Sequence, residues 1–350
     1  MTNKDIICEK RGAAGFVLLN RPQALNALTP GMIAELEHAL QDWARDASVE
    51  RVVIRGAGER AFCAGGDIRL VHDLGKAQRF DEQRAFYAHE YQVNRMIARY
   101  AKPYIAMLDG FVMGGGAGVS IHGSHRIVSE RVTFAMPEVG IGFFPDVGAT
   151  AFLTAIPDAM GTWLGATGAR VTSGDMIALG LADHYVPQAQ FDALAQAFED
   201  SGDTNAIIAR FAQSAPPAKI TQERALIRAA FGHGKVATML DVLAKAQANG
   251  SDFARETLAL LRSKCPTSIA VVLHQLTRAA VSVEEALQIE YWLVTRICRR
   301  ADFYEGIRCV VIDKGQVPSW SPAKLEDVQA ADIEAFFAVL PDELRFGEPA

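Results

Sequence analysis

The sequence lacks the features that mark several classes of protein. Its five cysteines form no CxxC pair and no cluster with histidine at zinc-ligand spacing, which predicts reduced thiols and argues against a metal site. It has no apolar run of membrane-spanning length, and its start resembles neither a signal peptide nor a transit peptide. The net charge is −6, whereas nucleic-acid binders are more often basic. We therefore expect a cytoplasmic protein without nucleic-acid or membrane partners.

Short apolar segments alternate with helical patterns in the first half of the chain. Thr29 as N-cap and Pro30 at the first helical position predict one helix, and a second helix is expected over residues 80–99. Strands are predicted where β-branched and apolar residues run into turn residues, at residues 16–20, 51–56, 104–110 and 125–130. Strands separated by helices favour an α/β fold.

The second half of the chain has a different composition. Residues from about 190 to 300 are rich in Ala, Leu, Glu, Arg and Gln and carry few strand signals. Such a composition predicts amphipathic helices. We therefore expect a core with the functional site over residues 1–195 and a mainly helical C-terminal region over residues 196–350.

Glycine is concentrated in three segments, AGGD (64–67), MGGGAG (113–118) and IGFFPDVG (141–148). Glycine permits positive φ angles and close approach of the backbone to a ligand, so the three segments are expected to meet at one pocket. A glycine run that leads into a helix leaves backbone N–H groups free to stabilise negative charge. With one more N–H from AGGD, such a run forms an oxyanion hole for a thioester carbonyl.

Two other interpretations of the glycine run are disfavoured. The glycines at 114–116 are consecutive, whereas a dinucleotide-binding loop needs the spacing G-x-G-x-x-G. GVSIHG (118–123) has His122 where the serine-hydrolase motif G-x-S-x-G requires glycine. Ser120 and His122 are also two residues apart, so on a helix their side chains point in different directions.

Two acids, Glu138 and Asp146, lie in the apolar, glycine-rich segment MPEVGIGFFPDVG. Acids that lose water contacts in such surroundings have raised pKa values and suit acid–base catalysis. A structural interpretation is equally well supported: Glu138 caps a turn, and Asp146 accepts hydrogen bonds from backbone N–H groups after Pro145. The residues alone favour neither interpretation.

Four motifs together resemble the crotonase (enoyl-CoA hydratase/isomerase) superfamily in their order and spacing. They are NRPQALNAL (20–28), AFCAGGDI (61–68), GFVMGGGAGVS (110–120) and MPEVGIGFFPDVG (136–148). The resemblance implies an α/β spiral of ββα units, extended here by a helical C-terminal region. It also implies an acyl-CoA substrate with no separate cofactor, and members of the superfamily are often homo-oligomers.

The resemblance also implies roles for individual residues. The backbone N–H groups of Gly66 and Gly115 would form the oxyanion hole, and Gly115 would thereby also contact the substrate. No metal ion is required. The CoA moiety would be held, largely through the backbone, by Ala24, Leu25, Ala27, Ala64, Gly65, Asp67 and Ile68.

Departures from the superfamily pattern narrow the expected activity. Hydratases carry two glutamates, one shortly after the glycine run and one in the later P-E motif. Gly118 stands at the first of these positions, so Glu138 alone remains of the pair. Asp146 stands where hydratases generally have glycine. Hydration of a double bond is therefore disfavoured, although a hydratase or isomerase that uses Glu138 alone stays an alternative.

The segment FPDVG, together with Glu90, Tyr91 and Asn94, resembles members of the superfamily that hydrolyse 3-hydroxyisobutyryl-CoA, an intermediate of valine breakdown. This resemblance implies that Glu138 attacks the thioester carbonyl or activates water. Asp146 would orient the substrate's β-hydroxyl or the water, and Glu90 would contact the same polar end. A weakly active acyl-CoA-binding homologue is a further alternative.

Overall fold

The computed structural model describes residues 4–277, 281–341 and 344–346. The two regions expected from the sequence, 1–195 and 196–350, therefore begin and end at residues outside the described part. The strands in the described part are β1 (Ile6–Arg11), β2 (Ala14–Leu19), β3 (Arg51–Gly56), β4 (Ala61–Cys63), β5 (Tyr104–Leu108), β6 (Phe111–Met113), β7 (His125–Val128), β8 (Thr133–Ala135) and β9 (His184–Tyr185).

Helices connect the strands and make up most of the chain after β9. They are α1 (Pro30–Arg45), α2 (Ile68–Lys76), α3 (Phe80–Ala98), α4 (Gly115–Gly118), α5 (Ala149–Thr154), α6 (Met160–Thr167), α7 (Ser173–Ala178), α8 (Phe191–Ala197), α9 (Thr204–Ala209), α10 (Arg224–Phe231), α11 (Val236–Ala248), α12 (Asp252–Arg262), α13 (Pro266–Leu276), α14 (Val283–Ile297), α15 (Ala301–Ile307) and α16 (Ala330–Phe336). None of the helices in the described ranges is both long and apolar enough to cross a membrane.

The strands form two sheets. The larger sheet has the order β1-β2-β3-β5-β7-β9, and its pairs are parallel except for β1 with β2. The smaller sheet is parallel, with the order β4-β6-β8. From β3 to β8 the chain alternates between the sheets, one strand to each, before it enters the next helical segment. This alternation is the spiral of ββα units that the superfamily resemblance implies.

Most of the predicted elements are confirmed. The strands predicted near residues 16, 51, 104 and 125 are β2, β3, β5 and β7. Helix α1 begins at Pro30, and the Thr29 hydroxyl accepts a hydrogen bond from the Met32 N–H at 3.2 Å, as expected of an N-cap. The strands of the smaller sheet were not predicted, because three residues are too few to show an alternating pattern.

The C-terminal helices share a core with the sheets. One continuous apolar cluster contains Ile6 of β1 and Leu344 near the chain end. Within it α13 packs against α6, and α14 packs against α3 and α5. The division at residue 195 stays a prediction.

Candidate active site

Three loops meet at one edge of the smaller sheet. Each loop begins where a strand ends. Gly65 and Gly66 come after β4, Gly114 comes after β6, and Glu138 comes after β8. Because the carboxyl ends of parallel strands lie at the same edge of a sheet, these loops are brought together there. They line a cavity of about 870 Å³. The expectation that the glycine segments share one pocket is thus confirmed.

Two backbone N–H groups are available at this edge. A Cβ atom built on Gly115 would lie 3.2 Å from the Gly66 nitrogen, so the two loops touch. The loop of Gly66 is fixed by pairing with Leu28, whose N–H donates to the Gly65 carbonyl at 2.8 Å and whose carbonyl accepts from the Asp67 N–H at 2.8 Å. Within the described residues, neither Gly66 nor Gly115 donates its own N–H to a backbone or side-chain acceptor.

Close contacts explain why this loop consists of glycine. A Cβ atom on Gly115 would lie 2.4 Å from Oε1 of Glu90. Gly114 has a φ of +50°, and a Cβ atom there would lie 3.0 Å from Oε1 of Glu138. Side chains at these positions would displace the two carboxylates, so the glycine run lets both acids reach the cavity.

Three acids line the cavity, and each is almost fully buried. Glu90 comes from α3, whereas Glu138 and Asp146 come from the segment after β8. The Tyr91 hydroxyl donates a hydrogen bond to Oδ2 of Asp146 at 2.9 Å. In the described part of the chain, Oε1 of Glu90 and Oε2 of Glu138 have no hydrogen-bond partner. Buried polar atoms without partners are costly, so these two oxygens are placed to meet a ligand or water.

Burial sets the electrostatics of the acids. It raises the pKa of Asp146 to about 7, although the hydrogen bond from Tyr91 acts in the opposite direction. Burial also raises the pKa of Glu138 and of Glu90 well above the ordinary glutamate value, and the nearby charge of Asp146 adds to both shifts. Like charges in a desolvated cluster disfavour one another, so the three acids do not all ionise near neutral pH. The acids are thus poised for proton transfer.

Gly118 is enclosed by its neighbours. A Cβ atom on Gly118 would lie 2.7 Å from Nδ2 of Asn94 and 2.8 Å from Cβ of Val147. Asn94 is fully buried on α3, so its amide group occupies the space next to residue 118. The packing leaves no room for a glutamate side chain at this position.

The residues predicted to hold CoA all line the same cavity. They are Ala24, Leu25, Ala27, Ala64, Gly65, Asp67 and Ile68. Arg21 ties their two loops together, because its guanidinium donates to the Ala27 carbonyl at 2.8 Å and to Asp67 at 3.2 Å. Asp67 also accepts a hydrogen bond from the Leu70 N–H at the start of α2. Its carboxylate therefore holds the loop in place.

The sequence leaves Phe143 and Phe144 both as candidates for the cavity wall or for the core, and other parts of the wall were not predicted. Lys264 contributes from the segment between α12 and α13, and its Nζ would lie 3.7 Å from a Cβ atom on Gly140. Phe143 lines the cavity and stacks on Tyr87, whereas Phe144 is a core residue. The remaining unpredicted lining residues include Arg60, Phe86, Val310, Val311 and Lys314. Most of these come from distant parts of the chain, so no local pattern could identify them.

The disfavoured nucleophiles have structural partners. The Ser120 hydroxyl donates to the Gly116 carbonyl at 2.7 Å, and Nε2 of His122 donates to the Val147 carbonyl at 2.7 Å. The serine and histidine therefore do not form a pair. Burial raises the pKa of Cys63 to about 12, which makes a poor nucleophile of the cysteine nearest the glycine loops.

Nearly the whole chain resembles known acyl-CoA enzymes. A family model described as enoyl-CoA hydratase/isomerase matches residues 14–337. The chain is 37% identical over 349 residues to a mitochondrial 3-hydroxyisobutyryl-CoA hydrolase of Danio rerio, covering 97% of this chain and 90% of the relative. The protein of the same name from Homo sapiens is 36% identical over 358 residues, covering 98% of this chain and 91% of the relative. The chain therefore belongs to the enoyl-CoA hydratase/isomerase family.

Solved structures agree on the fold and carry the names of different enzymes. A carnitinyl-CoA dehydratase from Mycobacterium thermoresistibile superposes with a TM-score of 0.93 at 38% identity, covering 99% of this chain and 100% of that chain. An enoyl-CoA hydratase from Rhodobacter sphaeroides 2.4.1 superposes with a TM-score of 0.90 at 39% identity, covering 98% of this chain and 100% of that chain. The crotonase-type fold with its helical C-terminal region is thereby confirmed. The curated relatives are named mitochondrial, and a cytoplasmic location for this chain stays a prediction.

Proposed function

We propose that the protein hydrolyses the thioester of a short branched β-hydroxyacyl-CoA, with 3-hydroxyisobutyryl-CoA as the substrate and 3-hydroxyisobutyrate and CoA as products. The names of the curated relatives support this substrate. The family supports an acyl-CoA ligand. In this proposal CoA is part of the substrate, and neither a metal ion nor another cofactor takes part.

The observation that carries the proposal is the packing around Gly118. In hydratases of the superfamily a glutamate stands at this position. Here a Cβ atom would already lie 2.7 Å from the Asn94 amide, so a longer acidic side chain has no space. Asp146 instead adds a carboxylate to the cavity that Glu138 lines. The resulting set of acids favours attack on a carbonyl over addition of water to a double bond.

The free N–H groups of Gly66 and Gly115 would bind the thioester oxygen. Negative charge develops on this oxygen as the carbonyl carbon becomes tetrahedral. Preformed backbone donors stabilise that charge without reorganisation, and the loss of one such donor typically costs about 3–4 kcal/mol of transition-state stabilisation. The unsatisfied N–H groups at the edge of the cavity support this role.

Glu138 would carry the central step by one of two routes. In the first route its carboxylate attacks the carbonyl carbon, the C–S bond breaks, CoA leaves as a thiolate, and water then cleaves the mixed anhydride. In the second route it removes a proton from water as the water attacks the carbonyl directly, and the C–S bond of the tetrahedral intermediate then breaks to release the CoA thiolate. Its unpartnered Oε2 and its approach to within 3.0 Å of the Cβ position of Gly114 support both routes.

Asp146 and Glu90 would bind the polar end of the acyl group. The Tyr91 hydroxyl binds Oδ2 of Asp146, and the carboxylate would meet the substrate's β-hydroxyl or the attacking water from the cavity that it lines. Oε1 of Glu90 lies beside Gly115, close to the expected position of the thioester oxygen. The two acids would thereby select acyl groups with a hydroxyl at the β carbon.

The rim of the cavity suits a polyanionic CoA. Arg60, Lys264 and Lys314 line it, although the chain as a whole is acidic. A local basic patch is sufficient for such a ligand. We further propose a place in valine breakdown and a cytoplasmic location. A homo-oligomer is also proposed, and light scattering of the purified protein tests it.

A second function, hydration or dehydration at a double bond, is favoured by the names of the two proteins whose solved structures superpose on this chain. Such an enzyme would use Glu138 alone or together with Glu90. Crotonyl-CoA separates the two functions, because hydration removes the absorbance of the conjugated enoyl group and releases no thiol. A third alternative is an acyl-CoA-binding homologue, which would bind CoA esters tightly and leave the thioester intact.

The test is a panel of CoA esters assayed in parallel for thiol release and for loss of enoyl absorbance. The panel contains 3-hydroxyisobutyryl-CoA, 3-hydroxybutyryl-CoA, isobutyryl-CoA and crotonyl-CoA. We expect the fastest thiol release from the first ester and slower release from isobutyryl-CoA, which lacks the hydroxyl. Loss of enoyl absorbance without thiol release from any ester would refute the hydrolase proposal.

A further inference from the structure

The turn that carries Asp146 has a strained backbone. Val147, the next residue, is fully buried and has a φ of +56°, a region in which a β-branched residue is unfavourable. Gly148 follows with a φ of +86°. A strained conformation of this kind persists only where surrounding contacts hold it in place, and such residues cluster at functional sites.

Side chains from outside the turn bind its backbone on both sides of Asp146. Before it, Nε2 of Gln275 on α13 donates to the Pro145 carbonyl at 2.8 Å. After it, His122 donates to the Val147 carbonyl at 2.7 Å. Glu290 on α14 accepts from the Gly148 N–H at 2.6 Å. The backbone that orients the Asp146 side chain is thus fixed by groups distant in sequence.

Glu290 and Gln275 belong to one connected network. Oε1 of Glu290 accepts from the N–H and from the hydroxyl of Thr150, each at 2.7 Å. The same hydroxyl accepts from Nε2 of Gln275 at 2.8 Å, so its own hydrogen is directed to Glu290. The two oxygens of Glu290 are therefore the acceptors in all of these hydrogen bonds. Both side chains are fully buried.

We propose that Glu290 and Gln275, which come from the helical C-terminal region, are positioning residues that hold Asp146 in its catalytic orientation. This inference rests on the proposed function of Asp146. It assigns the C-terminal helices a part in the chemical step in addition to their part in packing. Errors of about 1 Å in the placement of a reacting group can cost about a hundredfold in rate.

The replacements that test this are Glu290→Gln and Gln275→Met. The amide of the first variant keeps the size of the side chain but turns a donor towards either the Gly148 N–H or the Thr150 N–H, so one of these bonds is lost. The second variant removes the hydrogen bonds to Pro145 and Thr150 and keeps a similar volume. Because each variant loosens the turn from a different helix, either one is informative if the other fails to fold.

The matched control is Asp175→Asn. Asp175 is also buried, and it accepts hydrogen bonds from the Lys219 N–H at 2.7 Å and the Ile220 N–H at 3.0 Å, so it holds a backbone turn in the same way. It does not line the cavity. We expect a similar loss of melting temperature in the control and in the test variants.

The experiment measures kcat and KM for thioester cleavage and the melting temperature of each variant. We expect kcat to fall about tenfold or more in Glu290→Gln and Gln275→Met, with KM changed less than about twofold, and kcat to be retained in Asp175→Asn. Retention of kcat in both test variants would overturn the inference, as would an equal loss of kcat in the control. If the wild-type protein cleaves no thioester, the proposed function fails instead, and the two failures are distinct.

Discussion

The two parts of the chain contribute differently to the cavity. The part before about residue 195 provides backbone N–H groups at Gly66 and Gly115 and the three buried acids. The helical part after it provides charged side chains at the rim, such as Lys264, and buried side chains behind the Asp146 turn, such as Glu290. The first part can supply the reacting groups, whereas the second can hold the substrate and support the turn.

This difference has a kinetic consequence. An interaction made only in the transition state affects kcat, and an interaction made equally with the bound substrate affects KM. Changes to the acids and glycines of the ββα spiral are therefore expected to lower kcat. Changes to the cations from the helical part are expected to raise KM. The buried side chains behind Asp146 are the expected exception, because they act through an acid of the spiral.

The largest effect is expected from Glu138→Gln. An amide neither attacks the carbonyl nor accepts a proton from water, so turnover should fall about a thousandfold or more, as losses of a catalytic base or nucleophile do. Binding of a CoA ester, measured by calorimetry, should be largely unchanged. The matched control is Glu334→Gln, at an exposed position on α16. A Glu138→Gln variant that keeps most of its turnover would show that Glu138 is not the central group.

Asp146→Gly should remove most of the hydrolysis as well. Glycine is the residue that hydratases generally have at this position, so the variant also asks whether hydration appears in its place. We expect thiol release to fall by about a hundredfold or more because the hydroxyl or the water loses its orientation. Thiol release and enoyl absorbance are measured on the same samples. Full hydrolase activity in this variant would remove the main argument against hydration.

Lys264→Gln tests the expectation that cations from the helical part of the chain bind the substrate. The partly buried ammonium of Lys264 lines the cavity, and burial together with the charge of Arg170 lowers its pKa. We expect KM for the CoA ester to rise about three- to tenfold with kcat unchanged, which corresponds to a loss of about 0.7–1.4 kcal/mol of binding free energy. The pantetheine ester, which lacks the nucleotide phosphates, should show no such rise. The control is Lys245→Gln, at an exposed lysine of α11.

An equal rise in KM for the CoA and pantetheine esters would place Lys264 near the acyl end of the substrate and away from the phosphates. A fall in kcat would contradict the expectation that Lys264 contributes to substrate binding and not to the chemical step. Only the fall in kcat would move Lys264 to the group of side chains that act on the chemical step.

Gly118→Ala tests the packing on which the hydrolase proposal rests. The added methyl group would lie too close to Asn94 and Val147, and overpacking in a core typically costs about 1–3 kcal/mol. We expect the melting temperature to fall by several degrees, since each kcal/mol shifts it by roughly 2–4 °C in chains of about 150–250 residues. Thermal unfolding measures this directly. An unchanged melting temperature would show that the site accepts a side chain at residue 118.

The pH dependence should be the mildest effect. Glu138 must be ionised for either route, so kcat/KM rises with pH as it loses its proton. Burial and the charge of Asp146 raise its pKa well above the ordinary glutamate value. The rise should therefore occur at higher pH than for an exposed glutamate, within a profile measured from about pH 5 to 9. A profile that is already flat from pH 5 would contradict the desolvation of Glu138.

The larger sheet was easier to predict than the smaller one. Strands β2 and β5 are six and five residues of nearly continuous apolar sequence, and β3 is six residues long with three consecutive β-branched residues. The strands of the smaller sheet have three residues each, too few for a local pattern. Their glycine-rich loops were visible nonetheless, because glycine is required wherever a backbone approaches a carboxylate or a ligand closely.

Contacts between distant segments account for what could not be predicted. Tyr91 binds Asp146 across 55 residues of sequence, and Glu290 reaches Gly148 across 142 residues. Whether Phe143 or Phe144 faces the cavity depends on the turn geometry, which places Phe143 at the wall. Local sequence patterns identify candidate functional residues, whereas tertiary packing determines which of them lie together in the site.

The most direct test of hydrolysis is the mass of the products that the wild-type protein forms from 3-hydroxyisobutyryl-CoA. Hydrolysis adds water and splits the ester, so we predict 3-hydroxyisobutyrate and free CoA in equal amounts. Dehydration, the reaction after which one structural neighbour is named, would instead remove water and leave methacrylyl-CoA with its thioester intact. Accumulation of methacrylyl-CoA without free CoA would contradict the proposed hydrolase.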